Sequence, residues 1–489
     1  MNPRLRNGLV IGAAIVVAVA AGIDVANENY GWIGLLSFAA IAAALTRTLA
    51  LPVDVIVLGL VMLGYLVGNR GFAQLMPMRT VPLLPAEGAL LVAGGWAFIA
   101  CAYEKRLPFR RNLLNWLVLA WLALGCARVL FDVRQFGFLA LRDFAMCYYA
   151  AFFFLAQRAG EHPGARRYLI ACALLGCALL PTLAALYEVV PRIFYELRIH
   201  GTPVLLYKGD LALMFTACAA VLLFHWALRS GRTWLLLYPV ALGVFVFARE
   251  SRASILGLAL VLGLLALHRR WAFPAVMAGT LAAGAAIILI LATVTNNDWA
   301  EQRIDTVSAH LDSIVNPLRS VGAVSDESAY KWDNNRFRLV WWKSVMQETL
   351  KRSPVIGLGF GYDLAQGFLQ AYNPEMADDF TARSPHNVAL TALGRLGLAG
   401  LAVWLGIVGC VLGETWRSLH LDPVPLHWGV WGMITIILIT AHLQVVLEGP
   451  MGAVPFWIML GIASGSMRSF RPAQDASPGS GTTATQSAP

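Results

Sequence analysis

The sequence predicts an all-α, polytopic integral membrane protein with about twelve, and up to about fourteen, transmembrane helices and one large helical loop. Hydrophobic residues make up 58% of the chain, charged residues only 13%, and the mean hydropathy is +0.65, which excludes an ordinary soluble protein. Apolar runs recur at roughly the length that crosses a ~30 Å hydrocarbon core. The runs lack the period-two alternation of barrel strands, so each must satisfy its backbone hydrogen bonds as a helix.

Candidate spans follow one another along the chain, and several are short enough to be peripheral or half-helices. Arg4 and Arg6 precede the first apolar run, which has no obvious small-residue cleavage site, so we expect an uncleaved first span. The candidate spans lie near 9–26, 31–46, 52–68, 86–102, 113–131, 139–157, 168–190, 210–228, 234–248, 254–267, 272–294, 386–412, 427–446 and 451–467.

Composition divides the chain into four parts. Residues 1–294 are expected to form the first part of a transmembrane bundle, and 295–385 a large polar loop with helices of its own. Residues 386–470 return to apolar runs and complete the bundle. The stretch 471–489 has almost no apolar bulk, so we expect a disordered cytoplasmic tail.

The net charge of +9 is distributed as in a membrane protein, so nucleic acid is not an expected partner. With the N-terminus in the cytoplasm, the basic loops fall on the cytoplasmic side; they lie at 104–111, 158–167, 229–232, 268–270 and Arg417. The large loop then lies on the opposite side, together with 190–210 and 249–253. In a bacterial inner membrane, that side is periplasmic.

The sequence offers no support for a metal or a nucleotide cofactor. The seven cysteines lie within or beside apolar runs without a CxxC pair, so neither a disulfide framework nor a zinc site is indicated. His310 and His442 have no second ligand at suitable spacing. Walker, HExxH and nucleophile-elbow motifs are absent from the sequence.

Apolar spacing predicts three helices within the large loop, at about 299–315, 333–352 and 362–372. The adjacent Trp341 and Trp342 suit a helix lying against the membrane interface. Gly357, Gly359 and Gly361 follow the second helix without a preceding strand, so a dinucleotide fold is not indicated and close backbone packing is expected instead.

His386 is the first candidate site residue. Ser384 is predicted to cap the next span and Pro385 to be its first helical residue, which places His386 in the first turn at the water boundary. Such a position binds anions and disfavours the imidazolium, so a neutral imidazole could act as a base. The alternative is an ordinary interfacial histidine.

Arginines form the second group of candidates. In the turn between two spans, two arginines, Arg249 and Arg252, accompany a single acid, Glu250, which favours a functional role for the arginines. The alternative is that Glu250 pairs with an arginine in a surface turn. Arg142 is a further candidate, because it lies beside Asp143 inside an apolar run. The alternative is that the two form a local ion pair that stabilises the helix.

Two further sets of cations lie on the same side. Arg336 and Arg338 are two residues apart on the second loop helix, so they point to different faces and only one easily reaches a shared cleft. Lys208 lies with Arg198 and His200 in the other sizeable loop, which could equally be a solvated interfacial loop.

Arginine forks match phosphate oxygens, so these residues suggest a reaction with a lipid diphosphate as leaving group. Arginines would stabilise the developing charge in place of a divalent cation, and a histidine would deprotonate an acceptor hydroxyl. No nucleotide is needed, because such a donor is already activated.

Three motifs together resemble the O-antigen ligase and O-antigen polymerase superfamily of polytopic membrane glycosyltransferases. Ser251-Arg252 before an apolar span resembles the family's Ser-Arg motif. The stretches 336–343 and 354–361 resemble its arginine–tryptophan helix and glycine loop. Ser384-Pro-His-Asn387, with the span that follows, resembles its histidine-asparagine motif.

The resemblance implies a ligase that joins an undecaprenyl-diphosphate-linked glycan to lipid A-core in the periplasm, without a metal or a nucleotide. It gives His386 the role of base, Arg252 a diphosphate-binding role and Arg336 or Arg338 a second such role. Arg142, Arg249, Lys208 and Asn387 are added as candidate substrate-binding residues.

Other functions remain open at this point. An O-antigen polymerase uses the same donor with a lipid-linked repeat as acceptor, and a protein O-glycosyltransferase is a third relative. A transporter of the lipid-linked glycan is a different class; it predicts charges along a central cavity, whereas this sequence concentrates them at one face. Donor glycan, lipid A-core and membrane lipid are the expected partners.

Overall fold

A computed structural model describes residues 31–75, 84–105, 109–196, 198–199, 202–203, 205–206, 209–230, 252–267, 271–295, 305, 308–309, 326–372, 383–420 and 425–466. The helices before the first strand are α1 (Gly31–Leu49), α2 (Val53–Ala73), α3 (Pro85–Glu104), α4 (Leu113–Phe136), α5 (Phe138–Tyr148), α6 (Ala151–Gly160), α7 (Pro163–Val189) and α8 (Pro191–Glu196). A short hairpin follows, in which β1 (Arg198–Ile199) pairs antiparallel with β2 (Thr202–Pro203).

The later helices comprise spans of the bundle and two helices of the polar loop. They are α9 (Gly209–Ser230), α10 (Arg252–Leu267), α11 (Ala272–Thr295), α12 (Asp326–Arg352), α13 (Gln366–Tyr372), α14 (Val388–His420), α15 (Pro425–Ala441) and α16 (Pro450–Ser466).

The helices agree closely with the predicted spans. Every predicted span within the described residues contains a helix, whereas 9–26 and 234–248 lie outside them. Among the described residues, six helical segments are long and apolar enough to cross a membrane, at 53–73, 85–104, 113–136, 138–160, 163–180 and 388–419. The chain is therefore a mostly helical membrane protein.

Close packing of the bundle depends on small residues, as is usual between helices in lipid. Helices α6 and α16 approach most closely where Gly461 faces Phe153, since a Cβ on Gly461 would lie 2.3 Å from the Phe153 carbonyl oxygen. Gly465 lies in the same way against Gln157, with 2.7 Å from a built Cβ to the carbonyl oxygen. Larger residues at these two glycines would force the helices apart.

Two predicted spans depart from a single straight helix. The predicted span 139–157 is divided by a turn at Tyr149–Ala150 into α5 and α6. Helix α14 is kinked at Gly397, whose φ of 66° is not helical. Only glycine adopts such a conformation readily, so the kink is a property of that residue.

Charged side chains join several helix ends at one end of the bundle, here called the basic end. Arg158 bridges Asp54 of α2 and Glu104 of α3, each at 2.9 Å. Arg110 contacts Glu161 at 3.0 Å and donates to the carbonyls of Ser464 and Gly465 at the end of α16. The predicted basic loops 104–111 and 158–167 therefore meet in space.

The described part of the polar loop has a small core of its own. Helix α12 begins at Asp326, earlier than the predicted start near residue 333, and ends at Arg352 as predicted. Helix α13 covers only the second half of the predicted 362–372 helix. Trp341, Val345, Leu364, Phe368 and their neighbours pack together between these two helices. Most of the first predicted loop helix lies outside the described residues.

Candidate functional site

His386 lies in a short non-helical segment, Arg383–Asn387, here called the histidine loop. Its φ of 57° is in the left-handed region, which few residues other than glycine adopt. Asn387 caps α14, because its Oδ1 accepts hydrogen bonds from the N–H groups of Ala389 (3.0 Å) and Leu390 (3.2 Å). The prediction that Ser384 caps this helix and that His386 lies in its first turn is therefore wrong.

Helix α12 packs its two tryptophans against the histidine loop. Trp342 donates its indole N–H to the Pro385 carbonyl (2.6 Å), and the Trp341 and His386 rings lie 5.9 Å apart between centroids. Trp341 is fully buried, stacks on Phe368 and donates to the Leu364 carbonyl at 2.8 Å. The expected tryptophan pair at the membrane interface is wrong for Trp341, because the loop forms its own core around this side chain.

Of the two loop arginines, Arg338 points toward the rest of the site. Its Nη1 donates to the Leu443 carbonyl (2.9 Å) in the non-helical stretch 442–449, here called the return segment, which connects α15 to α16. Arg336 is exposed, in keeping with the expectation that residues two apart on a helix face different ways. The histidine loop, α12 and the return segment therefore meet at one place.

The return segment contributes an acid to this meeting point. Glu448 accepts hydrogen bonds at Oε1 from the hydroxyls of Ser384 (2.8 Å) and Thr391 (3.1 Å). Burial raises the pKa of the Glu448 carboxyl above its ordinary value, although these two hydrogen bonds act in the opposite direction. The histidine loop is thereby fastened to the return segment as well as to α12.

The glycine loop, Pro354–Gly361, lies against the start of α14. Leu358 N–H donates to the Gly394 carbonyl (2.7 Å), and Leu398 N–H donates back to the Pro354 carbonyl (2.8 Å). These bonds use the backbone groups that the kink at Gly397 releases from the helix. The predicted close backbone packing of this loop is confirmed.

Two carboxylates from the bundle hold the end of the glycine loop. Asp132 of α4 accepts from the Phe360 N–H at 2.6 Å, and Asp143 of α5 accepts from the Gly361 N–H at 3.0 Å. Asp132 is also paired with Arg128 at 3.0 Å. The glycine loop is therefore positioned by charged hydrogen bonds from two membrane helices.

A buried arginine completes this network. Arg395 of α14 is 2% exposed and contacts Asp143 at 2.8 Å. It also donates to the carbonyls of Gly359 and Tyr362. Arg383 of the histidine loop donates to the Gly361 carbonyl at 2.5 Å and lies 3.7 Å from Asp143. The glycine loop and the histidine loop thus share one carboxylate.

The structure describes only some of the remaining candidate site residues. Arg142 is about half exposed and lies 3.7 Å from Asp143, the geometry of the local ion pair named as its alternative. Arg252 is the first residue of α10, but its side chain lies outside the described residues, as do Arg249 and Lys208 altogether. Gly257, a little over one turn after Arg252, packs against Ile436 and Thr440 near the end of α15, just before the return segment.

Several residues of this cluster escaped the sequence analysis, although a signal for two of them exists. Glu448 is the only Asp, Glu, Lys or Arg between Pro425 and Ser466, and Arg395 is the only one between Val388 and Gly413. A lone ionisable residue in an apolar run is itself an indication of function or of a specific partner. Asp132 carried no comparable signal, since its partner Phe360 N–H is 228 residues away in sequence.

Among the described residues, no group of three or more His, Cys, Asp or Glu side chains could hold a metal ion. The fold and the cluster define a polytopic membrane protein in which polar residues of several helices converge on the histidine loop, the glycine loop and the return segment.

Residues 234–405 match the family model described as O-antigen ligase, and this stretch contains all three motifs on which the resemblance rested. This stretch, about a third of the chain, is therefore similar to the O-antigen ligase family. Comparison with curated proteins gave no match.

Proposed function

We propose that this protein transfers O-antigen glycan from undecaprenyl diphosphate to lipid A-core during lipopolysaccharide maturation. The family match supports a glycosyltransferase of this superfamily. The observation that carries the proposal is the position of His386 on a loop fastened both to α12 and to the return segment. A base must be held in a defined geometry to accept a proton from a reacting hydroxyl.

In the proposed reaction, the acceptor oxygen attacks the anomeric carbon of the first sugar of the donor glycan. The bond from that carbon to the diphosphate oxygen breaks, and undecaprenyl diphosphate leaves with the electron pair. The proton of the acceptor hydroxyl passes to the imidazole of His386. Since the donor carries its own leaving group, the step needs neither a nucleotide nor a metal.

Arginines hold the diphosphate in this proposal. Arg338 is preferred to Arg336, because it turns toward the return segment while Arg336 is exposed. Arg252 takes the second position, since α10 packs near the end of α15. Arg249, Lys208 and Arg142 are secondary candidates for contacts to the glycan or the diphosphate. Asn387 is assigned to helix capping, which already engages its side-chain oxygen.

The reaction takes place on the periplasmic face of the bacterial inner membrane in this proposal. The basic end of the bundle would face the cytoplasm, in accord with the positive-inside rule. The segments 1–294 and 386–470 form the membrane bundle, 295–385 the periplasmic loop and 471–489 a cytoplasmic tail.

The test is a transfer assay with purified full-length protein, undecaprenyl-diphosphate-linked glycan and lipid A-core, with a chelator and without nucleotide. Wild-type protein is expected to form a product of higher mass. Changing His386→Ala is expected to lower kcat by about 100-fold or more, the typical contribution of a general base. His162→Ala is the matched control, because His162 is an exposed histidine at the basic end. Full activity of a folded His386→Ala variant would remove the base from the proposal.

The choice of acceptor separates the ligase from its relatives. The same assay is run with lipid A-core, with a second lipid-linked repeat and with an acceptor protein. Product formation only with the lipid-linked repeat would identify a polymerase, and only with the protein a protein O-glycosyltransferase. Movement of the lipid-linked glycan across a vesicle membrane without any new bond would indicate a transporter.

A further inference from the structure

The return segment holds the histidine loop through a single carboxylate oxygen. Glu448 Oε1 accepts from Ser384, two residues before His386, and from Thr391, five residues after it. The two hydroxyl oxygens are 3.1 Å apart, so both hydroxyls converge on the same oxygen. One acceptor therefore fixes the loop and the first turn of α14 relative to each other.

The hydroxyl hydrogens can be shared among more than one acceptor in this network. Each hydroxyl has one hydrogen to donate. Thr391 can donate either to Glu448 or to the Asn387 carbonyl, which lies 2.9 Å from its oxygen. The hydrogen-bond acceptors near Ser384 are Glu448 and the Thr391 oxygen. Without Glu448, Ser384 would lose its shorter contact (2.8 Å) and keep only the Thr391 oxygen at 3.1 Å, so the link from the histidine loop to the return segment would be lost.

The carboxyl is isolated from solvent. Its second oxygen, Oε2, is buried and has no hydrogen-bond partner within the described part of the chain. Among the described contacts, Glu448 is held by hydroxyls and not by a cation. A group in such surroundings acts through hydrogen bonds, since an unpaired charge would be strongly disfavoured there.

We propose that Glu448 is a positioning residue of the transfer reaction, which holds His386 in its working orientation by accepting the hydroxyl hydrogens of Ser384 and Thr391. It acts at Ser384, while Trp342 holds the same loop at Pro385. Glu448 does not need to ionise for this role, because the oxygen that accepts the two hydrogens is equally present in a glutamine. The proposal rests on the function proposed above for His386.

The experiment compares Glu448→Ala with Glu448→Gln in the full-length protein in lipid nanodiscs. In the transfer assay, Glu448→Ala is expected to lower kcat about 10- to 100-fold with little change in the KM for the donor, because the base is displaced while the donor contacts persist. Glu448→Gln is expected to retain most of the wild-type kcat, since it keeps the acceptor oxygen. Glu414→Ala and Glu414→Gln, at the far end of α14, are the matched controls.

A second readout does not depend on catalysis. Diethyl pyrocarbonate modifies accessible imidazoles, and peptide mass spectrometry gives its rate at His386. We expect faster modification in Glu448→Ala and the wild-type rate in Glu448→Gln. Should Glu448→Ala fail to fold, Ser384→Ala removes the same hydrogen bond from the loop side, and a higher modification rate is expected there too.

The outcomes separate the two proposals. If wild-type protein transfers no glycan but the modification rates follow the expected order, the proposed function fails and the positioning of His386 stands. If Glu448→Ala keeps both the wild-type kcat and the wild-type modification rate, the positioning role is overturned. If Glu448→Gln loses as much activity as Glu448→Ala, an ionised carboxylate is required and positioning through the two hydroxyls is likewise overturned.

Discussion

Arg395 illustrates at the scale of one residue how a charge is accommodated inside this protein. Its guanidinium is buried, and its donors are distributed between the Asp143 carboxylate and backbone carbonyls of the glycine loop. A planar fork can serve several acceptors at once, which a lysine ammonium cannot do in the same geometry. Arg395 therefore connects α14, α5 and the glycine loop.

Replacing Arg395→Met is expected to destabilise the protein by on the order of 3 kcal/mol, because it leaves Asp143, whose side chain is only 10% exposed, without its closest cation. The melting temperature in detergent measures the effect. Arg417→Met on the same helix is the control. Because Arg417 is exposed, the melting temperature of this variant should stay near that of the wild type. Equal melting temperatures for both variants would contradict a structural role for the buried pair.

Glu448 makes the free energy of unfolding depend on pH. Burial raises its pKa in the folded protein, so the folded state binds this proton more tightly than the unfolded state. The stabilisation is complete below the ordinary glutamate pKa and is lost as the pH rises through the raised pKa. As the pH rises from the ordinary glutamate pKa to the raised pKa, the melting temperature of Glu448→Gln should therefore increase relative to that of the wild type. Parallel melting curves for the two proteins over this pH range would argue against a buried, protonated carboxyl.

At the scale of elements, the kink of α14 and the glycine loop form one unit. Gly397 and Gly357 have φ angles of 66° and 73°, and a Cβ on Gly397 would lie 2.3 Å from the Val355 carbonyl carbon. The helix can bend here only because the loop supplies replacement hydrogen-bond partners. The start of α14, and with it the histidine loop, takes its direction from this contact.

Gly397→Ala is expected to lower the melting temperature, with a loss of about 1–3 kcal/mol from strain and overlap with Val355. Gly409→Ala on the same helix meets no atom within 4 Å and should leave stability unchanged or raise it by up to about 1 kcal/mol. Thermal unfolding of the two variants checks the difference. If Gly409→Ala were the more damaging change, the kink would not be the feature that matters.

Helix positions were predictable from the sequence, whereas helix irregularities were not. The length of the apolar run alone predicts spans such as α4 and α7. Asn387 rather than Ser384 caps α14, because the Asn387 side chain reaches two N–H groups while the Ser384 hydroxyl donates to Glu448, 64 residues away. Local propensity cannot rank such alternatives.

At the scale of the whole molecule, polar networks occupy two ends of an apolar bundle. Arg110 and Arg158 join helix ends at the basic end, and Asp143 and Glu448 fasten loops at the end that contains His386. The helices between them expose apolar side chains, including Leu91, Phe98 and Leu405, as expected where lipid surrounds the protein. Charge is thereby kept away from the bilayer centre.

Single cysteines test the proposed orientation of these two ends. Val355→Cys at the tip of the glycine loop should react with a membrane-impermeant maleimide in intact spheroplasts, because that end is proposed to be periplasmic and Val355 is 61% exposed. Arg111→Cys at the basic end should react only after the membrane is permeabilised. The wild-type protein, with its seven native cysteines, gives the background. Reaction of both sites from the outside would contradict the orientation.

The sequence by itself determined that the chain is a helical membrane protein, where most of its described spans lie and which superfamily it resembles. It could do so because length, hydropathy and short motifs are local properties. The tertiary structure alone decided that Asp132, Asp143 and Arg395 hold the glycine loop and that Glu448 accepts a hydrogen bond from Ser384. These hydrogen bonds join residues from 33 to 228 positions apart, so their geometry exists only once the helices have packed.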